Sequence, residues 1–217
     1  MAESKAWNWS EEKNAIWLTP SEESYYVANR WSELGYRREL DFGCGLGRHS
    51  IFFAKQGFNV SAFDLSPEGA SHLERWAREE ALEVDVTTAD MRSLPYRDHS
   101  FDCIFAFHVI SHTDTAGMQE ILAEIRRVLR PGGEIYLTLC SKETWSFAEA
   151  GYPRIDENTV VKTEEGPEKG IPHFYVTLPD ILELFADFEI ERVRHVDDCY
   201  FGDRVQNSKH YFILARR

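Results

Sequence analysis

Asp41-Phe42-Gly43-Cys44-Gly45-Leu46-Gly47 joins a strand-like run, Arg38 to Phe42, to a helical segment from about Arg48 to Gln56 that Gly57 stops. Glycines in a strand-to-helix turn permit a tight bend and let ligand atoms reach the backbone without meeting a side chain. The helix behind them presents free amides and the positive end of its dipole. Alone, such a turn is a weak signal. The next stretch strengthens it. Asn59 to Phe63 reads as a second strand and ends on Asp64, 64 − 43 = 21 residues after the first glycine. In α/β folds a carboxylate about 20 residues past the loop accepts the ribose hydroxyls of a nucleoside. Leu65, beside it, is apolar and suits an adenine face.

Further along, Ser66-Pro67-Glu68 opens a helix with Ala70, Leu73 and Ala77 at helical spacing, and Glu83 to Thr88 reads as a third strand. Phe101 to Phe107 is nearly all apolar, as a strand buried on both faces of a parallel sheet requires. A helix through Ile121, Ile125 and Leu129 stops at Pro131-Gly132-Gly133, and a fifth strand covers Glu134 to Cys140. Strands alternating with helices imply right-handed crossovers, a parallel sheet and helices on both faces. The tail breaks the rhythm. After a helix capped by Thr177, strands around Phe188 to Val196 and Lys209 to Ala215 are joined only by Asp203 to Ser208, too short for a crossover, so they pair antiparallel. Residues 142–175 are polar and weakly periodic, and read as a lid, an insertion or a dimer arm. Thr19-Pro20-Ser21-Glu22 opens an early helix with Thr19 as its cap. The expected division is an N-terminal helical cap, 1–36, and a main domain, 37–217.

The chain has 217 residues, with 24 Lys plus Arg against 37 Asp plus Glu, a net charge of −13 with His neutral. That balance disfavours nucleic acid and anionic lipid as partners and favours small neutral or cationic ligands. The four cysteines (Cys44, Cys103, Cys140, Cys199) form no CxxC pair, so reduced thiols in a cytoplasmic protein are expected, with no metal site. No window nears the ~18 to 20 apolar residues of a membrane span, and no signal peptide is visible.

The ligand is narrowed by spacing. Arg48 stands where a dinucleotide fingerprint needs its third glycine to seat a pyrophosphate. Asp41, two residues before the loop, suits an ammonium group better than a pyrophosphate. Asp90, after the third strand, can accept from an exocyclic amine, with Met91 against the ring. Cation at the loop, ribose on Asp64 and adenine by Asp90 describe S-adenosylmethionine (SAM).

DFGCGLG, the acid in AFDLS, TADM before SLPY, FDCIFAFHVISH and VLRPGG resemble the successive motifs of class I SAM-dependent methyltransferases. The likeness is to the small-molecule branch with the ubiquinone-pathway and tellurite-resistance types, and runs from about Arg38 to Leu139. It implies a Rossmann-like α/β fold with a seven-stranded sheet, order 3-2-1-4-5-7-6, strand 7 antiparallel. It also implies Gly43, Gly45, Gly47 and Asp41 near the methionine part, Asp64 on ribose, Asp90 and Met91 at adenine, and the Phe107 backbone at the end of strand four.

Transfer of a methyl group from a sulfonium needs alignment above all, because the leaving group is already activated. A base helps where the acceptor carries a proton. His112, which shares a helical face with His108 if that segment is helical, and His173 are the candidates. Trp7, Trp9, Trp17, Tyr25 and Tyr26 crowd the N-terminus, and the two tyrosines are expected to touch cofactor. No Pro-Pro-aromatic run follows strand four and no Pro-Cys nucleophile is present, which disfavours the nucleic-acid enzymes. The competing readings are a nicotinamide oxidoreductase and a non-catalytic SAM-binding scaffold. A homodimer is compatible with the sequence.

Overall fold

β-Branched and aromatic runs set one mixed sheet at the centre of the computed structural model, which describes residues 4–9, 14–199 and 206–217. β1 (Arg38–Phe42), β2 (Asn59–Asp64), β3 (Val84–Thr88), β4 (Phe101–Ala106) and β5 (Leu129–Ser141) are parallel, in the order β3-β2-β1-β4-β5. Three short strands, β6 (Arg154–Asp156), β7 (Thr159–Val161) and β8 (Pro172–Val176), follow. β9 (Glu189–Asp198) and β10 (Ser208–Arg216) end the chain, and β10 lies antiparallel to both β5 and β9. The main sheet is therefore β3-β2-β1-β4-β5-β10-β9, the expected topology. The β9–β10 connection lies outside the described residues at 200–205.

The segment that the sequence leaves without periodicity is folded. β8 joins the tip of β5 in parallel through Cys140–Tyr175 and Ser141–Val176, and β7 and β6 continue antiparallel from it. Because β4 stops at Ala106, this small branch takes the place beyond its carboxyl end, and the Phe174 amide donates to the Ser111 carbonyl at 2.8 Å.

α1 (Glu22–Glu33) and α2 (Arg48–Lys55) bring Val27, Trp31, Phe52 and Phe53 to one face of the sheet. α3 (Pro67–Glu79) packs beside α2 through Leu73 and Ala77. On the other face α4 (Thr115–Val128) buries Met118, Ile121 and Ile125, and α6 (Leu178–Leu184), after the single turn α5 (Trp145–Ala148), adds Ile181. The Thr177 cap forms as expected, a full capping box with Asp180. The early helix starts later than its sequence suggests. Ser21 is its N-cap, while Thr19 closes the 3-10 turn Ala15–Leu18.

α1 is tied to the sheet by one buried acid. Glu134 receives Arg30 Nε at 2.9 Å and Nη2 at 2.7 Å, Trp31 Nε1 at 3.1 Å and Arg216 Nη2 at 3.2 Å. Burial alone raises its pKa, but these donors hold it below the usual carboxylate range. Glu39 on β1 is the opposite case. It is fully buried, its oxygens have no hydrogen-bond partner among the described residues, and burial with Asp41 nearby pushes its pKa well up. Below the unfolded value of ~4.3 both states are protonated. Above it the unfolded chain ionises first, so stability falls with rising pH until the folded pKa is passed. Glu39→Gln should therefore flatten the decline in melting temperature as the pH rises above about 5, read by thermal denaturation; an unchanged slope contradicts this.

Candidate functional site

The site begins with the loop between β1 and α2. Gly43 has φ +72°, and a Cβ there would stand 2.2 Å from Val109 Cγ2, so the loop after β4 closes on this backbone. Gly47 has φ +96° and faces Leu73 of α3 at 2.5 Å from its would-be Cβ. Asp64 ties the loop to the next strand. Its Oδ2 accepts the Gly45 amide at 2.9 Å and its Oδ1 the Ser66 amide at 2.8 Å, while the Cys44 amide donates to the Phe63 carbonyl at 2.8 Å. Burial raises the Asp64 pKa and these amides oppose the rise. An ionised carboxylate offers about four lone-pair sites, so both oxygens can still accept from a ligand.

These groups frame a crevice at the carboxyl ends of β1, β2 and β4, where open α/β sheets bind ligands. Gly43, Gly45, Asp64, Leu65, Asp90, Met91 and Phe107 all line it. Asp90 is already bridged by Arg92, whose Nη2 is 3.0 Å from Oδ2 and whose amide is 2.9 Å from Oδ1. Burial works against the charge, but Arg92 holds the Asp90 pKa down.

Four expected contacts fall elsewhere. Gly47 packs on α3 behind the loop. Asp41 is buried beneath it, bonded to Ser50, and burial raises its pKa to about 6. Tyr25 and Tyr26 are exposed because α1 turns Val27, Ala28 and Trp31 inward; Tyr25 lies on Phe52, and Tyr26 has the Arg192 guanidinium over its ring. Their place is taken by Trp7, Trp9 and Trp17. Trp7 stacks on Trp9 at 5.4 Å, both meet Trp17 edge-on, and Trp9 lies against Gly45 and Gly69. Arg48 anchors this cover, donating to the Ile16 and Thr19 carbonyls with its guanidinium over Trp17 and Phe107. The cover leaves about 90 Å³ of free space in the crevice, below the ~300 to 1,000 Å³ of small-molecule pockets.

A second cavity of about 670 Å³ adjoins the first, and Trp7, Trp17, His108 and His112 line both. Residues 107–114 between β4 and α4 are not helical, and His108 has φ +55°, so the two histidines do not share a helix face. His108 turns to Thr138 and His210; His112 turns to His173, at 4.8 Å between ring centres. Burial, then neighbouring cations, lowers the pKa of each: His112 to about 3, with His173 adding to the effect, His210 to about 4, and His108 and His173 also down. At neutral pH the four rings are uncharged. Glu168 joins His112 and His173 in the same wall. It is 56 residues from His112 (168 − 112), in a segment with no readable periodicity, so no spacing rule finds it.

The same architecture occurs in known proteins. Residues 40–133 match the family described as "Methyltransferase domain". The chain is 32% identical over 127 residues to norajmaline N-methyltransferase of Rauvolfia serpentina, covering 57% of this chain and 42% of the relative. Across such curated relatives it spans about a third to a half of their length. A structure of a SAM-dependent methyltransferase from Methanosarcina mazei superposes with TM-score 0.69 at 24% identity, over 83% of this chain and 92% of the other. Another, 1,6-didemethyltoxoflavin-N1-methyltransferase of Burkholderia thailandensis with bound S-adenosylhomocysteine, gives 0.64 at 19% identity, over 90% and 77%. The fold of the methyltransferase domain extends to the tail strands, beyond the matched residues. Among the described residues no helix is long and apolar enough to cross a membrane.

The domain's loop sets a stability prediction. Gly47→Ala places a methyl group against the buried Leu73 in a left-handed backbone, and should cost about 1 to 3 kcal/mol. Denaturant titration checks it; a loss below ~0.5 kcal/mol would mean that Leu73 yields freely.

Proposed function

We propose that this protein is a SAM-dependent methyltransferase acting on a small-molecule acceptor. The carrying observation is that the glycine-loop crevice and the 670 Å³ cavity share one wall, so a donor in the first faces an acceptor in the second. In this reading Asp64 holds the ribose diol, Leu65 and Met91 flank adenine, and the sulfonium end lies over Gly43 and Gly45 toward His108 and His112. The 142–175 segment walls the acceptor side through Lys162, Glu168, His173 and Tyr175. The residues position the two reactants and exclude water, which supplies most of what an in-line displacement needs. His112 and His173 act on the acceptor. With its pKa near 3, His112 takes a proton from a hydroxyl poorly, so free imidazole basicity contributes little. A dinucleotide fits less well, because Arg48 fills the pyrophosphate side and is occupied by backbone carbonyls.

Trp7 and Trp9 must yield before a donor enters. Their indole N–H groups are buried without acceptors among the described residues, at a cost of about 1 to 3 kcal/mol each, so their seat is weakly held. Trp9→Ala should raise SAM affinity, since less of the population is blocked; a lower affinity in titration calorimetry would make Trp9 a ligand contact instead.

Asp64→Ala removes the ribose acceptors and the loop clamp together. It should weaken SAM binding by about 1.5 to 3 kcal/mol per lost bond, and lower the melting temperature of the free protein. Thermal shift with SAM, S-adenosylhomocysteine and NAD tests the reading itself. Stabilisation by the first two is expected, and stabilisation by NAD alone would overturn it.

A further inference from the structure

His112, Glu168 and His173 bring three donor atoms together on the acceptor-cavity wall, all within 4.8 Å of one another. The Nε2 of His173 is 3.2 Å and the Nε2 of His112 3.8 Å from the same carboxylate oxygen, Oε1 of Glu168. Around a four-coordinate zinc ion, bonds of ~2.0 to 2.2 Å place donors ~3.4 Å apart. A shift of about 1 Å by the His112 ring completes such a set. The orientation of two of the three groups, His173 and Glu168, is fixed from behind. Nδ1 of His173 lies 3.0 Å from the Ile171 carbonyl, which only accepts, so a proton held there leaves the Nε2 lone pair for the cluster. A carbonyl behind the ring is the usual support of a ligating imidazole. Lys162 binds Oε2 of Glu168 and leaves Oε1 turned to the histidines. Nε2 of His173 and Oε1 of Glu168 are at hydrogen-bond distance, 3.2 Å, so an ion bound there takes the place of a proton on Nε2.

We infer that His112, Glu168 and His173 bind a divalent transition-metal ion of the zinc type, whose open positions face the cavity and take an oxygen donor of the acceptor. Two imidazoles with one carboxylate form an open catalytic ligand set. The ion site stands on these contacts alone, whereas its use rests on the methyltransferase reading. In that use the acceptor is a hydroxyl compound, and its O–H loses the proton to solvent because the bound oxyanion is stabilised. The oxyanion attacks the methyl carbon. The O–C bond forms as the C–S bond breaks, its electron pair stays on sulfur, and the sulfonium becomes a neutral thioether.

The test uses the full chain, freed of metal by a chelator and titrated with Co²⁺ and with Zn²⁺ by calorimetry and visible absorption. One Co²⁺ per chain should bind, with ligand-field bands and no thiolate charge-transfer band. His173→Ala and the isosteric Glu168→Gln should each weaken it at least tenfold while melting curves stay cooperative. Absence of a saturable site, equal affinity in both variants, or a thiolate band would overturn the site; the first is what a proton on His173 Nε2 predicts. Saturable metal binding in a protein that takes up no SAM upholds the ion site and overturns the methyltransferase reading. SAM uptake without saturable metal does the reverse.

Discussion

Two backbone amides on one carboxylate hold the site together. With Gly45 on one oxygen of Asp64 and Ser66 on the other, the β1 loop, the tip of β2 and the start of α3 become one unit. Bonds to a charged acceptor are worth about 1.5 to 3 kcal/mol, and a half-buried carboxylate gains them without a cationic partner. The clamp sets the floor of the crevice and still leaves lone pairs facing into it. On the proposed reading, the ribose would use the same carboxylate that holds the loop, so no substitution at Asp64 would separate the two roles.

Charge is distributed to match. The chain carries −13 overall, but Asp41 lies under the loop and the acceptor side is lined by uncharged imidazoles, because burial and neighbouring cations keep them deprotonated. Asp64 and Asp90 line the crevice in which the proposed cationic donor would bind. The tryptophan cover, strapped by Arg48, shields the same face and separates crevice from cavity.

The sheet was legible because its signals are local. β4 is a nearly continuous apolar run, α3 and α6 carry their caps, and the short connector between the tail strands, residues 199–207, admits only antiparallel pairing. The glycine loop and Asp64 were legible for the same reason, their spacing being a property of one βαβ unit. Asp41 and the tyrosines were misplaced because motif proximity does not say which way a side chain points: α1 has one buried face and Tyr25 and Tyr26 lie off it. The histidine pair misled through an assumed helix that His108, at positive φ, does not form. Glu168 was invisible. It reaches His112 only because β8 pairs with the tip of β5 and folds residues 154–176 back over the end of β4, a long-range pairing of the kind no short motif encodes.

The central claim is that an adenosyl sulfonium lies in this crevice with its sugar on Asp64. A crystal structure with S-adenosylhomocysteine tests it most directly. The account predicts both ribose hydroxyls within hydrogen-bonding distance of the Asp64 carboxylate and Trp9 moved off Gly45. Adenosyl density elsewhere, or a ribose facing away from Asp64, would contradict it.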